Sequence, residues 1–275
     1  MSTELEKRVK TGVLGGAVLL LILIFGGWFG IFVVTSVISL MMVNEYAGIV
    51  YALGDRQEKR YALLCNTLLS GFLMAIAPRY EYELLLLCFM GLFIYYLLIA
   101  QRHSAENLKT HFLELSLSLL GLVYLGFIPS YLIKIHQSSH GVEWTIVFLL
   151  IVFGGDSAAY FGGLKFGKTK LYPEISPKKT VEGALAGLAA GYVAMILAKL
   201  TFFREMPWFV MIMAPLMVGF FAQVGDFCES FLKRAFQVKD SGCSLPGHGG
   251  FLDRFDGVVF GLPVMYACVH LFGAN

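Results

Sequence analysis

Between Thr11 and Val50 the chain runs for 40 residues with a single acidic or basic side chain, Glu45. As one helix this run would be about 60 Å long, roughly twice the hydrocarbon thickness of a bilayer. It must therefore cross twice, and Gly26-Gly27 is the natural break, giving spans at about 12–26 and 28–49. The remainder has the same character. Of 275 residues 57% are apolar and 15% charged, which places the chain among integral membrane proteins. Further apolar runs at about 61–77, 84–100, 112–133, 143–163, 181–202, 207–230 and 256–273 bring the expected number of spans to nine. Pro129 is placed to kink the fifth. The expected fold is all-α, a polytopic helical membrane protein in one domain, 1–275, without repeats or a low-complexity linker. Residues 1–140 read mainly as scaffold, and 143–273 as the half that carries chemistry. The five cysteines, Cys65, Cys88, Cys228, Cys243 and Cys268, show no paired spacing and imply neither a disulfide framework nor a thiolate metal site.

Charge distribution orients the spans. Met1–Lys10 is a polar head with no small-residue cleavage site after it, so it reads as a cytoplasmic end rather than a signal peptide. Threading nine spans from there leaves Arg56, Lys59, Arg60, Arg102, Lys109, Lys165, Lys168, Lys170, Lys233, Lys239 and others inside. In all, 17 of the 21 basic residues fall on that side, and only Arg79, Lys134, Lys199 and Arg204 fall outside. An excess of lysine and arginine marks the cytoplasmic face. Both chemically rich loops then lie on it, in the plasma or inner membrane if the cell is bacterial.

The first of these loops is Ser230–Asp256, the densest run of charge and glycine in the chain. Lys233, Arg234, Lys239 and Arg254 offer positive charge to an anion. Gly247, Gly249 and Gly250 bracket His248 and would let backbone N–H groups approach a ligand. Asp253 and Asp256, three apart, would share one face of a helix. Upstream, Asp226 sits inside an apolar run, followed by Ser230, Lys233 and Arg234 at offsets of four, seven and eight. One polar stripe thus leads from within a span into the loop, and an intramembrane carboxylate points to a functional site. Cations, bare backbone and paired carboxylates together suit a phosphate ester bound with a divalent metal. A buried Asp226–Lys233 pair that merely fixes helix packing is the plainer alternative.

The pattern S-x-L-K-R, four residues, K-D-S-G (Lys239, Asp240, Ser241, Gly242), then L-P-G-H-G-G-F-x-D-R-F-D resembles the C-terminal motif of the phosphatidate cytidylyltransferases. The resemblance covers 27 residues without a departure. The second loop, Asp156–Gly183, adds to it. Asp156, Tyr160 and Gly163 line one face at the end of a span, and a basic, glycine-spaced tract follows. In I-S-P-K-K-T-V-E-G, Ser176 is placed to cap a helix beginning at Pro177, with Lys178 and Lys179 beside its open N–H groups as an anion seat. The segment S-P-K-K-T-x-E-G is similar to a second block of the same family.

The resemblance implies transfer of the cytidylyl group of CTP to phosphatidate, giving CDP-diacylglycerol and pyrophosphate. It implies Mg²⁺, with a second cation as a further expectation, held by Asp226, Asp253 and Asp256. Lys233, Arg234, Lys239 and Arg254, with Ser230, Asp240, His248, Gly249 and Gly250, would meet the phosphates from one side. Ser176, Lys178, Lys179 and Thr180 would meet them from the other. The expected partners are CTP, phosphatidate and the bilayer, with no nucleic acid; a homo-oligomer is left open. Two other classes stay open at this point: a CTP-dependent lipid kinase of the polyprenol type, and an ion-coupled transporter using Asp156 and Asp226. Glu45 reads as a cavity-lining or packing residue, and His103, His111, His136 and His140 lack ligand partners at useful spacing.

Overall fold

The computed structural model describes residues 15–16, 19–51, 63–64, 80–101, 107–244 and 249–272. The long apolar run breaks where its glycines predict. Residues 19–25 are helical, the chain bends at Gly26, and a new helix, α1 (Gly27–Val50), starts with Gly27 at φ 55°. Glycine adopts that left-handed conformation without a Cβ clash. At Gly26 a Cβ would stand 2.5 Å from the Ile22 carbonyl oxygen, so the bend needs both residues as they are.

The other elements are α2 (Glu81–Ala100), α3 (Leu108–Gly121), a π-helical turn over Leu122–Phe127, α4 (Ser130–Gln137) and α5 (Gly141–Phe166). A two-stranded hairpin follows, β1 (Lys170–Tyr172) and β2 (Ser176–Thr180), then α6 (Val181–Leu200), α7 (Trp208–Ala235) and α8 (Leu252–Phe272). With α3, the π turn and α4 taken as one span, seven helical segments among the described residues are long and apolar enough to cross a membrane. They correspond to seven of the expected nine spans. The expected span at 12–26 is described only in part, and that at 61–77 lies outside the described residues except for Leu63 and Leu64. The chain is a polytopic helical membrane protein, with the hairpin as its one departure from an all-α fold among those residues.

The kink expected at Pro129 takes a definite form. Proline has no N–H, so it cannot bond the carbonyl four residues back, which belongs to Leu125. The helix widens to a π turn just before it, with Ile128 N–H reaching Val123 O at 3.1 Å. The Ser39 hydroxyl of α1 donates to the Leu125 carbonyl. In a bilayer an unmet carbonyl is expensive, and a neighbouring hydroxyl is one of the few available remedies.

Between helices in lipid the hydrophobic effect supplies little, so association rests on close packing and polar contacts. The pairs α5/α6 and α7/α8 pack most extensively. Small residues let them do so. A Cβ on Gly183 of α6 would lie 2.7 Å from the Ala159 carbonyl oxygen of α5, and one on Gly225 of α7 would lie 2.5 Å from that of Asp256 in α8. Trp144, Phe148, Ile151, Met195, Val210, Val218, Leu262 and Met265 fill the space among these four helices. A second cluster joins α1 to α8 through Met42, Tyr46, Leu252 and Val259. Large side chains such as Leu86, Leu97, Leu185 and Ile196 face outward, where the bilayer rather than water surrounds them.

The helix ends sort the charges. At one end of the bundle Lys134 pairs with Glu81, His140 lies 3.0 Å from Glu205, and Lys199 donates to the Arg204 carbonyl at 3.3 Å. At the other end the hairpin meets α7: Lys179 pairs with Asp226, and Arg234 Nε donates to the Ile175 carbonyl at 3.4 Å. Both chemically rich loops therefore share one end, and Lys134, Lys199 and Arg204 share the opposite one. With native cysteines replaced, a cysteine introduced at Lys168 or Lys239 should resist an impermeant thiol reagent in intact cells. One at Lys134 should react. Labelling of position 239 from outside would invert this orientation.

Candidate functional site

The polar stripe of α7 is the frame of the site. The helix continues beyond the expected end at 230 to Ala235, which carries Lys233 and Arg234 on the same rod as Asp226, Glu229 and Ser230. At 28 residues it is about 42 Å long, more than the hydrocarbon thickness, so its last turns reach the interface. Lys233 Nζ lies 2.6 Å from Glu229 Oε2 on its own helix and 2.7 Å from Asp253 Oδ1 on the first turn of α8. Glu229 is 1% exposed, and its other oxygen, Oε1, has no hydrogen-bond partner among the described residues. Lys233 thus joins two carboxylates and ties α7 to the start of α8.

Asp253 is fully engaged. Its Oδ2 accepts from the Ser241 N–H at 3.0 Å and the Gly250 N–H at 2.9 Å, and lies 2.9 Å from the Ser241 hydroxyl. Glu45, far away in sequence on α1, reaches the same place. Its carboxylate accepts from the N–H groups of Phe251 at 3.0 Å and Leu252 at 2.9 Å, and lies 3.0 Å from the Ser241 hydroxyl. The sequence offers the N–H groups of the glycine loop to a ligand, but those of Gly250, Phe251 and Leu252 are taken by two of the protein's own carboxylates. Gly250 is buried, and a Cβ there would overlap Ser241 and Glu45. Gly249 stands at φ 83°, in the left-handed region where glycine is favoured. These two glycines let the loop close on itself.

The second loop differs from expectation. Ser176 does not cap a helix: residues 176–180 form β2, paired antiparallel with β1 in the register Lys170↔Thr180 and Tyr172↔Ser176. The helix begins at Val181, and its cap is Thr180, whose Oγ1 accepts from the Gly183 N–H at 3.2 Å. The reason is local. A proline biases the residue before it, here Ser176, toward extended backbone, and Thr180 offers a cap four residues later. Glu182 then closes the loop by accepting from Lys168 N–H at 3.0 Å and Thr169 N–H at 3.2 Å. On β2, Lys179 turns inward to Asp226, its Nζ also 4.2 Å from the centre of the Phe227 ring, while Lys178 is exposed.

Further carboxylates converge here. Asp156 on α5, Asp226 on α7 and Asp256 on α8 lie close enough to feel one another's charge, and Lys179 and Arg254 act on Asp156. Asp256 is buried and accepts from the Gly257 N–H at 2.8 Å. Glu229 was not singled out in the sequence, although it falls three residues after Asp226 and four before Lys233 on the same stripe. Asp156, which the sequence places at a span end and offers as an ion site only in the transporter alternative, belongs to this group. Ser230 is half-buried, Arg234, Lys239, Asp240 and Arg254 are exposed, and His248 lies outside the described residues. Among the described residues no three His, Cys, Asp or Glu side chains are disposed to share one metal ion. Of the three expected ligands, Asp226 and Asp256 lie within reach of one another's charge. Asp226 is held by Lys179, and Asp253 by Lys233 and the loop.

Comparison with known proteins agrees with the motifs. A family model described as the cytidylyltransferase family matches residues 6–272. A Bacillus subtilis (strain 168) protein named phosphatidate cytidylyltransferase is 39% identical over 160 residues, 58% of this chain and 60% of that protein. One of the same name from Staphylococcus aureus (strain COL) is 40% identical over 156 residues, 56% of this chain and 58% of the relative. Another, from Staphylococcus saprophyticus, is 37% identical over 154 residues, with the same two shares. The match thus spans somewhat less than two thirds of each relative's length.

The double pairing of Lys233 predicts the effect of its loss. Breaking a buried ion pair by removing one partner typically costs about 3–5 kcal/mol, because a charge is left uncompensated. Lys233→Met should destabilise the folded protein on that scale in detergent unfolding experiments. Adding Glu229→Gln should restore part of the loss. If Lys233→Met unfolds like the parent, the pairing is not holding α7 to α8.

Proposed function

Because the chain belongs to the cytidylyltransferase family, we propose that it transfers the cytidylyl group of CTP to phosphatidate, forming CDP-diacylglycerol and releasing pyrophosphate. The observation that carries this reading is the meeting of the two motif-bearing segments at one end of the bundle, where Lys179 of the hairpin pairs with Asp226 of α7. Both blocks of the resemblance contribute to one charged site. The names of the relatives support the substrate pair.

The chemistry asks little covalent work of the protein. A phosphatidate oxygen, anionic near neutral pH, attacks the α-phosphorus of CTP. The bond from that phosphorus to the bridging oxygen breaks, and pyrophosphate leaves with the electron pair. No general base is needed. The protein has to bring two polyanions together and stabilise the charge that develops on the leaving group. In this reading Lys178 and Lys179 with Ser176 and Thr180 approach from the hairpin, and Lys233, Arg234, Lys239 and Arg254 approach from α7 and α8. The ammonium of Lys179 is held by Asp226 and would be shared with an arriving phosphate.

The donor set fits magnesium. Asp226, Glu229 and Asp256 lie within reach of one another's charge, and one buried Glu229 oxygen has no hydrogen-bond partner among the described residues. Carboxylate oxygens are the hard donors this ion takes. Asp226 and Asp256 would hold it. Asp253, already filled by Lys233, Ser241 and Gly250, we assign to positioning those groups. When bound, the cation would neutralise the nucleotide phosphates and the departing pyrophosphate. We place the site on the cytoplasmic face, where CTP is made, in keeping with the basic excess at this end.

Two outcomes test the proposal. With CTP labelled separately at the α and γ positions and phosphatidate as acceptor, only α-label should enter the lipid phase. Lipid carrying γ-label would make the protein a kinase, and no transfer of either would end the enzyme reading. Asp226→Asn and Asp256→Asn should each lower turnover by roughly a hundredfold or more, the scale of losing a principal electrostatic stabiliser. Their membrane insertion should be unchanged. Near-normal turnover of both at saturating Mg²⁺ would refute the metal assignment.

A further inference from the structure

Helix α1 carries one acidic or basic side chain, and it is buried 6% exposed against the loop that begins α8. We infer that Glu45 is a positioning residue for the proposed reaction, fixing the first turn of α8 and, through Ser241, the Asp253–Lys233 pair. The inference rests on the functional reading above for what is positioned, and on geometry for how. Both oxygens of Glu45 work: Oε1 accepts from Phe251 N–H at 3.0 Å, and Oε2 accepts from Leu252 N–H at 2.9 Å with the Ser241 hydroxyl 3.0 Å away. The same hydroxyl is 2.9 Å from Asp253 Oδ2, and Asp253 Oδ1 is 2.7 Å from Lys233 Nζ. An unbroken polar chain therefore links α1, the loop, α8 and α7.

A plain helix cap would account for less than this. Helix starts are ordinarily capped by a nearby Ser, Thr, Asp or Asn. The residues just before α8 are Gly249, Gly250 and Phe251, which have no such side chain, so the N–H groups of Phe251 and Leu252 depend on a carboxylate 206 and 207 residues away. The loop is shaped to admit it. A Cβ on Gly242 would stand 2.9 Å from Glu45 Oε1, and one on Gly250 would overlap the carboxylate. The first two turns of α8 bear Asp253, Arg254 and Asp256, so the rotation of this helix start sets where all three lie.

Glu45→Gln keeps the shape but turns an amide NH₂ toward one of the donors the carboxylate now accepts. In the full-length protein in detergent it should lower kcat for α-label transfer by about ten- to a hundredfold, the cost of a small misplacement of reacting groups. Glu45→Asp should recover part of that loss. Ser241→Ala should lower kcat alone but add less than about twofold on top of Glu45→Gln, since effects passing through one network do not multiply. Amide hydrogen exchange should rise at 241 and 251–252 and not elsewhere. Parental kcat for Glu45→Gln, or independent multiplication of the two substitutions, would overturn the inference. If the parent protein transfers no label, the functional reading falls and the exchange experiment alone decides. Faster exchange confined to those residues then supports the positioning role, and unchanged exchange refutes it.

Discussion

A carboxylate can be buried in a membrane protein only if cations or N–H groups meet it, and most of the charged end of this bundle follows from that constraint. Lys233 is the residue on which it turns. Its ammonium lies between Glu229 and Asp253, so the end of α7 cannot shift relative to α8 without stranding a charge. Asp253 gathers the loop through Ser241 and Gly250. Glu45 then holds the same loop to α1, extending the tie from two helices to three.

The apolar body of the protein makes these ties decisive. A bilayer solvates leucine as well as another helix does, so helix pairs gain little from hiding apolar surface. What distinguishes one packing from another is close approach at small residues and satisfaction of polar atoms. The contacts at Gly183 and Gly225 provide the first. The buried Ser39 bond to the carbonyl freed by Pro129 provides the second. The same α1 that repairs this carbonyl also supplies Glu45, so a segment that reads as scaffold has a part in both the frame and the site.

The hairpin shows how a site can be held in readiness. Lys179 pairs with Asp226, and Lys233 with Asp253, so two of the basic groups proposed to meet a phosphate already rest on carboxylates. For an incoming phosphate, exchange of partners rather than creation of new charge in a nonpolar region would then suffice. Such exchange keeps charges compensated throughout, which matters most where the surroundings screen them least.

How much of this was legible in the sequence depended on range. Hydropathy is a local property, and the bilayer reads it directly, so seven spans fell close to their expected places and the break at Gly26-Gly27 was visible. The 27-residue run Ser230–Asp256 and the S-P-K-K-T block declared the family because their residue types are contiguous. The helix start near Ser176 was misplaced because two local signals competed, and pairing with β1 settled the choice. Glu45 and Glu229 had no local signature of their roles: one meets partners some two hundred residues away, and the other matters because it is sealed between α7 and α8. Sequence by itself determined the membrane class, seven of the spans and the family, since each is written in neighbouring residues. Only the tertiary structure decided which carboxylate meets which cation, because that depends on helices brought together at glycine contacts that no local pattern encodes.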